Sequence, residues 1–426
     1  MLFSTFSIEL PSPTNPAGSQ KHVTRLQRFH QRLEFFSSDG ISSMVRHIAI
    51  RRDLRHGTLR SFVDNWQWDI FEKIVQFRNV RSVVCEGLIL TASNVRQLVT
   101  LPWLTHLVLR LCSVHVPMAV PGRCISRLKS VAVDDDNGRL IEGYTLEWWT
   151  STVSQSTLER VNCTPRSASA TLLSLLASGP GAESLRELRF HYLTTERPDF
   201  LGALANCPNV VDFGLVGWPR DSDWMSGDVQ WPSPDIFPRL RSITGPYQHV
   251  MAYSKGRPIS RITIVDPLPD KADGYVTRLY DHCPALTHFC VNRTRNGLFV
   301  RGLLARFRAL EVCDIRIRSL DDEAVVKVRM FLPIACILLN KLQIYTALAN
   351  VDLPNTLERV TITSTHIAVS VSSVTIPNFP SLSSEALHAS CPQLQCLVIN
   401  GDSMCLDCSR SRSRPFSLYG SLQSSS

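Results

Sequence analysis

A short pattern of apolar positions recurs along almost the whole chain. It has the form L-x-x-L-x-L, and Val, Ile, Phe or Cys also occur at its apolar positions. The pattern begins at Val45, Val80, Leu104, Leu128, Leu158, Leu185, Val210, Leu240, Ile259, Leu286, Leu310, Leu357 and Leu394. Most intervals between these positions fall between 24 and 37 residues. Repetition at such a period is typical of a solenoid, in which each unit packs on its neighbours.

The spacing within one occurrence indicates a short β-strand. In the stretch LTHLVL that begins at Leu104, the side chains of Leu107 and Leu109 are two residues apart and so share one side of a strand. Helical patterns between the strands provide the crossover that parallel pairing needs. They cover residues 68–77, 94–101, 144–153, 170–177, 200–205, 275–282 and 298–307. We therefore predict an α/β leucine-rich-repeat solenoid, a curved right-handed horseshoe with a parallel sheet on its concave face and helices outside.

The domain organisation follows from where this pattern starts and stops. We expect a disordered N-terminus at residues 1–20, a solenoid at 21–400, and a disordered Ser/Arg tail at 401–426. Irregular inserts are expected near 326–350 and 365–380, where the period lengthens. An N-terminal capping helix is predicted at 23–36, with a basic outer face that we interpret as solvated; a membrane or nucleic-acid helix is the alternative. Its apolar face is formed by Leu26, Phe29, Leu33 and Phe36.

Charge and cysteine content narrow the class of protein. The net charge is +8, but residues 61–408 sum to zero, so the body is not a polybasic nucleic-acid surface. Thirteen scattered cysteines indicate a reducing compartment, cytoplasmic or nuclear, and not a disulfide framework. There is no secretory signal pattern and no apolar run long enough to span a membrane. Free thiols that fill space as small apolar groups are expected on or beside strands at Cys85, Cys163, Cys290, Cys313 and Cys396.

The turn before several strands carries a second recurring motif. In the stretches ALANCPNV, RLYDHCPAL and LHASCPQL, Cys-Pro lies just before the first apolar residue of the next occurrence. That residue is Val210, Leu286 or Leu394, respectively. Proline ends the preceding helix, and it biases the cysteine toward an extended conformation. Strands of this type, followed by a helix and C-P-x-L, resemble the cysteine-containing leucine-rich repeats of fungal F-box proteins. The resemblance covers roughly residues 23–400, and the F-box itself is not visible, because Leu10-Pro11 is followed by no helical pattern.

Few residues lie in patterns that indicate catalysis or metal binding. Cys405 and Cys408 form a single C-x-x-C, which without a second pair is weak evidence for zinc or redox chemistry. The acidic run from Asp134 to Asp136 precedes Asn-Gly and indicates a solvated turn. Phosphate-loop, dinucleotide-binding and zinc-protease motifs are not found in the sequence. We therefore expect no enzyme activity, no cofactor and no metal.

The expected working surface is the exposed face of the sheet. The third and seventh positions of each occurrence point away from the core, and they carry many charged side chains. The candidate partner-binding residues on the concave face are His106, Arg110, Arg160, Glu187, His191, Asp212, Arg261 and His288. Two interpretations remain open: a ladder of weak cross-strand charge pairs, or the footprint of a protein partner. Trp218, Trp224 and Trp231, in a long loop, are either further contacts or packed on the array edge.

The resemblance implies a function for such a surface. It implies substrate recognition for a cullin-type ubiquitin ligase, with a protein held on the concave face and the F-box-binding adaptor as a further partner if an F-box lies upstream. No membrane or nucleic-acid partner is expected. The first alternative is a protein-binding scaffold unrelated to ubiquitination, and a cryptic enzyme is a remote one.

Overall fold

The computed structural model describes seventeen stretches of the chain. They are residues 3–10, 20–52, 65–115, 125, 127–134, 148–150, 153, 157–179, 181–217, 232–267, 273–294, 297–317, 354, 356–364, 393, 396–399 and 402–405. They belong to two compact units, Met1–Ile259 (unit 1) and Ser260–Ser426 (unit 2). Each unit contains a sheet built from strands that follow one another in sequence order.

Unit 1 is built on parallel strands joined by crossovers. Its strands are β1 Thr5–Leu10, β2 His47–Arg52, β3 Ser82–Glu86, β4 Ile89–Thr91, β5 His106–Arg110, β6 Ser113–His115, β7 Ser130–Asp134, β8 Arg160–Cys163, β9 Glu187–His191, β10 Asp212–Val216 and β11 Ser242–Gly245. The main sheet runs β1-β2-β3-β5-β7-β8-β9-β10-β11 with parallel neighbours. The short strands β4 and β6 pair separately, also in parallel.

Unit 2 has the same design. Its strands are β12 Arg261–Pro267, β13 His288–Thr294, β14 Val312–Ile317, β15 Arg359–Ser364, β16 Cys396–Ile399 and β17 Asp402–Cys405. Strands β12 to β16 pair in parallel in sequence order, and β17 returns antiparallel to β16. Both units thus have an α/β repeat fold with a large parallel sheet, as the sequence predicts.

Each of the thirteen predicted occurrences leads into a strand of the main sheets. The strand starts two residues after the first apolar residue, so that Leu104 precedes β5 at His106. The alternation of exposure follows the apolar pattern: in β5, Leu107 and Leu109 are buried, while Val108 is half-buried and Arg110 is exposed. One side of the sheet is therefore core, and the other faces outward.

Helices cover the buried side. They are α1 Gln20–Ser37, α2 Asp39–Ser42, α3 Asn65–Ile74, α4 Ala92–Val99, α5 Arg166–Ser178, α6 Phe200–Ala205, α7 Tyr247–Ser254, α8 Asp273–His282 and α9 Gly297–Arg306, with a 3-10 helix at Tyr192–Glu196. Aromatic contacts join strand to helix: Phe213 of β10 lies 5.0 Å, centroid to centroid, from Tyr253 of α7, and Phe6 of β1 lies 4.7 Å from Phe36 of α1. Among the described residues, every helix is too short or too polar to cross a membrane.

The Cys-Pro motif forms a recurring turn. Cys207 and Cys283 are both buried, and each carbonyl accepts a hydrogen bond from the amide of the next strand's first apolar residue, Val210 or Leu286. The same bond recurs where another side chain replaces the cysteine. It joins Val80 to Phe77, Leu104 to Leu101, Leu128 to Ile125, Leu240 to Phe237, Leu310 to Phe307 and Leu357 to Pro354. The turn needs a buried side chain at this position, and cysteine is one way to supply it.

Both ends differ from the expectation of disorder. Strand β1 lies inside residues 1–20, because Phe6, Ile8 and Leu10 are buried and the backbone of the strand pairs with β2 of the neighbouring repeat. Strand β17 lies inside the expected tail and pairs with β16. The inserts expected near 326–350 and 365–380, the three loop tryptophans and Cys408 lie outside the described residues.

Candidate functional site

The strand register places the third positions of successive occurrences side by side. We call this set in unit 1 the third-position row. It contains His47, Ser82, His106, Ser130, Arg160, Glu187, Asp212 and Ser242, each the register partner of the next. Because neighbouring parallel strands are ~4.8 Å apart, the row places its charged and polar side chains at a fixed spacing.

One of the two histidines in this row, His106, is held by two neighbours. Nη2 of Arg160 lies 2.8 Å from Nε2 of His106, although the strand that carries Ser130 separates them. On its other side, Nδ1 of His106 lies 2.7 Å from the hydroxyl of Thr105, which donates to the carbonyl of Arg81 at 3.0 Å. Burial, and then the Arg160 charge, lower the pKa of His106. The neutral imidazole is therefore the form that suits this position.

Further along the row, Asp212 pairs with an arginine that lies at neither a third nor a seventh position, so the sequence prediction did not include it. Glu187 and Asp212 are register partners, and Arg189 lies 3.6 Å from Oδ1 of Asp212. Arg189 occupies a fifth position and lies over Gly214, where an added Cβ would come within 2.7 Å of its Cγ. The period-two alternation could have found it, because fifth positions share the outward face with the third and seventh.

The seventh positions form a second row of charges. Arg110 is exposed on β5 and has Glu86 and Asp134 as its register partners on the two adjacent strands. Glu86 also lies 3.4 Å from Arg51. The Arg51–Glu86 ion pair is largely solvent-exposed, so it contributes under ~1 kcal/mol to stability. The charges are thus positioned by the sheet and are not a major source of its stability.

His191 is committed to local structure. Its Nδ1 accepts a hydrogen bond from the amide of Leu193 at 3.3 Å, which caps the 3-10 helix. A Cβ on Gly217, which has φ of +100°, would lie 2.6 Å from His191 Nε2, so the ring fills space that the glycine leaves. Burial lowers the pKa of His191. The geometry therefore gives His191 a structural contact in addition to its place at a seventh position, beside Val216 of β10.

Arg261 and His288 lie together in unit 2. They are register partners on β12 and β13, and Arg261 is exposed. The hydroxyl of Thr287 lies 2.8 Å from Nδ1 of His288 and donates to the carbonyl of Ser260, which repeats the arrangement of Thr105 and His106. Glu311 lies farther from the same ring nitrogen, at 3.9 Å. The repeated Leu-Thr-His stretch thus fixes two histidines in the same way.

Small or apolar side chains lie between the two charged rows of unit 1. These fifth positions are half-buried and include Ala49, Val84, Val108 and Ala132. The next fifth position is the polar Asn162, whose Oδ1 is shielded from solvent and accepts no hydrogen bond from a described residue. The outward face of unit 1 therefore combines an apolar floor with polar edges, an arrangement that suits a macromolecular partner.

The remaining candidate groups are potential metal ligands and thiols. Within the described part of the chain, no group of three or more His, Cys, Asp or Glu residues has the geometry to hold a metal ion. Burial raises the pKa of Cys112, Cys163 and Cys207 to about 12, so these thiols are poor nucleophiles. Cys85, Cys163 and Cys313 are buried, whereas Cys290 is half-buried. It differs from the expected buried filler because it occupies a fifth position, on the outward face.

Comparisons with known proteins add no family. No family model matches the chain, and no curated protein matches it. Among solved structures, the chain is similar to a protein from Bacteroides fragilis determined by a structural genomics consortium. That protein has 13% sequence identity and a TM-score of 0.25, and the match covers 71% of this chain and 67% of that one. A similarity of this extent carries no argument about function.

Proposed function

We propose that the chain is a non-catalytic scaffold that binds another protein through the outward sheet face of unit 1. The observation that carries the proposal is the register itself. Charged side chains such as Arg110 and Arg160 stand in fixed rows on either side of an apolar floor that includes Val84 and Val108. At protein interfaces, charged groups in fixed positions provide specificity, and an apolar centre gains free energy when it is removed from water.

The dimensions favour a protein over a small molecule. From β2 to β11 the face spans seven strand steps, or ~34 Å, and third to seventh positions span ~13 Å along a strand. The resulting ~440 Å² is about half of the ~800 Å² per partner that a stable interface typically buries. A partner would therefore cover the whole face and reach the turns beside it.

The finer proposal is substrate recognition in a cullin-type ubiquitin ligase. It rests on the resemblance to F-box leucine-rich-repeat proteins, and the buried Cys207 and Cys283 turns support it. In this role the chain holds a protein substrate while other subunits bring the ubiquitin-carrying enzyme. A scaffold outside any ligase is the alternative, and the two differ in their partners.

The test uses the full chain carrying Arg110→Glu and Arg160→Glu. Partners are captured from cells by affinity purification and quantified by mass spectrometry against the wild type. A matched control, Arg96→Glu with Arg278→Glu, makes the same charge change on exposed positions of two helices. Selective loss of partners from the face variant supports the proposal. Retention of every partner excludes this face as the footprint.

The ligase role has its own readout in the same experiment. Co-purification of the small F-box-binding adaptor with both wild type and face variant supports the ligase, because the adaptor would bind elsewhere on the protein. Capture of other partners without that adaptor favours the plain scaffold. The two proposals can thus fail independently.

A further inference from the structure

A second surface of unit 1 differs in charge from the sheet face. It lies where β2, β3, β5 and β7 begin, at the turns that precede them. We call it the amino rim, formed by Arg46, Arg78, Arg81, Trp103, Arg127 and Lys129. Residues at the second positions are joined rung by rung: the amide of Arg81 donates to the carbonyl of Arg46, Thr105 to Arg81, and Lys129 to Thr105. The backbone therefore fixes the order and spacing of these side chains.

The amino rim carries an excess of positive charge. It has five cations, and in the described structure the carboxylate that contacts them is Glu159, which lies 2.7 Å from Nζ of Lys129. Arg78, Arg81 and Arg127 are exposed and make no ion pair with a described residue. By contrast, the seventh positions at the other end of the same strands alternate in sign, with Arg51, Glu86, Arg110 and Asp134.

An exposed tryptophan lies within this charge. Trp103 is 49% exposed, and the guanidinium carbon of Arg127 lies 4.2 Å from its ring centroid. Such a contact uses the flat face of the guanidinium and leaves its in-plane N–H groups free to donate. Those groups match the two oxygens of a carboxylate, and the uncovered part of the indole offers an apolar contact beside them.

We propose that the amino rim of unit 1 binds an acidic segment of a partner polypeptide, with carboxylates on Arg81 and Arg127 and an apolar or aromatic side chain on Trp103. The charge excess supplies the complementarity, and the Trp103–Arg127 pair supplies a defined anchor. A nucleic acid is less favoured because Arg127 already covers one face of the ring on which a base would stack. The surface is distinct from the sheet face, so the two sites are independent.

The test measures binding of a fluorescein-labelled peptide in which Glu and Asp flank a single Phe. Fluorescence anisotropy gives its Kd for the full chain and for Arg81→Glu with Arg127→Glu. We expect the double variant to bind about tenfold more weakly or worse, since two charge-assisted contacts become repulsive. The matched control is Arg166→Glu with Arg186→Glu, which makes the same charge change at two exposed positions, one following β8 and the other preceding β9. Its Kd should stay within about twofold.

A second variant tests the contribution of Trp103 to binding separately from that of the charged side chains, and it involves no charge reversal. Trp103→Ala should weaken the Phe peptide while leaving a peptide with Ala in place of Phe unchanged. Failure of the wild type to bind, or equal losses in the two double variants, overturns the proposal. Tighter binding of a single-stranded RNA oligonucleotide, lost in the same rim variant, overturns it in favour of nucleic acid.

Discussion

Arg160 reaches across a whole strand to contact His106. The two side chains meet at 2.8 Å although Ser130 lies between them in the register. The hydroxyl of Thr105 has one proton, which it donates to the Arg81 carbonyl, so Nδ1 of His106 must donate to Thr105. Nε2 then carries the lone pair that accepts from Arg160. The contact therefore requires the neutral imidazole in one tautomer.

This geometry predicts how His106 titrates. Replacing Arg160 with Gln should raise the pKa of His106, because a nearby positive charge that opposes protonation is removed. An NMR titration of the ring proton signals measures the change. Arg110→Gln serves as the control and should leave the pKa unaltered. An unchanged His106 pKa in the Arg160 variant would show that the contact does not persist in solution.

The same histidine makes stability depend on pH. Its pKa in the folded protein lies below the ordinary value of 6.5, so the unfolded chain takes up the proton first. Its contribution to the free energy of unfolding is complete above 6.5 and is lost as the pH falls through the folded pKa. We expect His106→Gln to flatten this part of the profile in chemical denaturation. An equal slope in variant and wild type would contradict the assignment.

Gly214 makes room for Arg189 on the sheet face. Gly214→Ala should lower the free energy of unfolding by about 1–3 kcal/mol, because a Cβ would meet Arg189 Cγ at 2.7 Å and displace it from Asp212. Gly202→Ala is the matched control: it lies in α6 with no atom near the new Cβ, so alanine should be neutral or stabilising by up to ~1 kcal/mol. Urea denaturation of both variants measures the difference, and similar stabilities would contradict the expected clash.

Arg257 is a buried cation that organises the backbone around it. It donates to the carbonyls of Ser233, Ile236, Tyr253 and Lys255. Arg257→Met keeps much of the volume but leaves these acceptors without their donor, so we expect a loss of about 2–4 kcal/mol. Thermal and urea unfolding measure it. Exposed Arg239→Met is the control, and an equal effect there would exclude a specific role for the buried side chain.

Cysteine labelling tests which face each thiol occupies. Cys290 is half-buried on the outward face of β13, whereas Cys207, Cys283 and Cys313 are buried. Iodoacetamide labelling followed by peptide mapping should therefore modify Cys290 before the other three. In denaturant all four should react at similar rates. Faster native labelling of Cys313 than of Cys290 would reverse the assigned orientation of the strands.

The sequence alone determined the repeat architecture of this protein. Each L-x-x-L-x-L occurrence led into a strand, because period-two burial and a buried turn residue are local properties that the sequence displays directly. The same period-two alternation could have been used to predict that Cys290 and Arg189 lie on the outward face. A further occurrence at Phe3, Phe6 and Ile8 also fits the pattern and leads into β1. The sequence prediction did not include it, because it lies 42 residues before Val45 and beside a Ser/Pro-rich stretch.

Only the tertiary structure decided which side chains meet across the strands. The rows followed from the pattern, but the Arg160–His106 contact, the Arg189–Gly214 fit and the Trp103–Arg127 pair join residues from different repeats. A long arginine side chain can reach any of several neighbouring residues. Which one it contacts depends on the strand register and on whether a neighbour is a glycine, which leaves space, or an aromatic ring with an exposed face. The repeat fixes the spacing of the backbone, whereas the particular pairs depend on packing between repeats that the linear pattern does not contain.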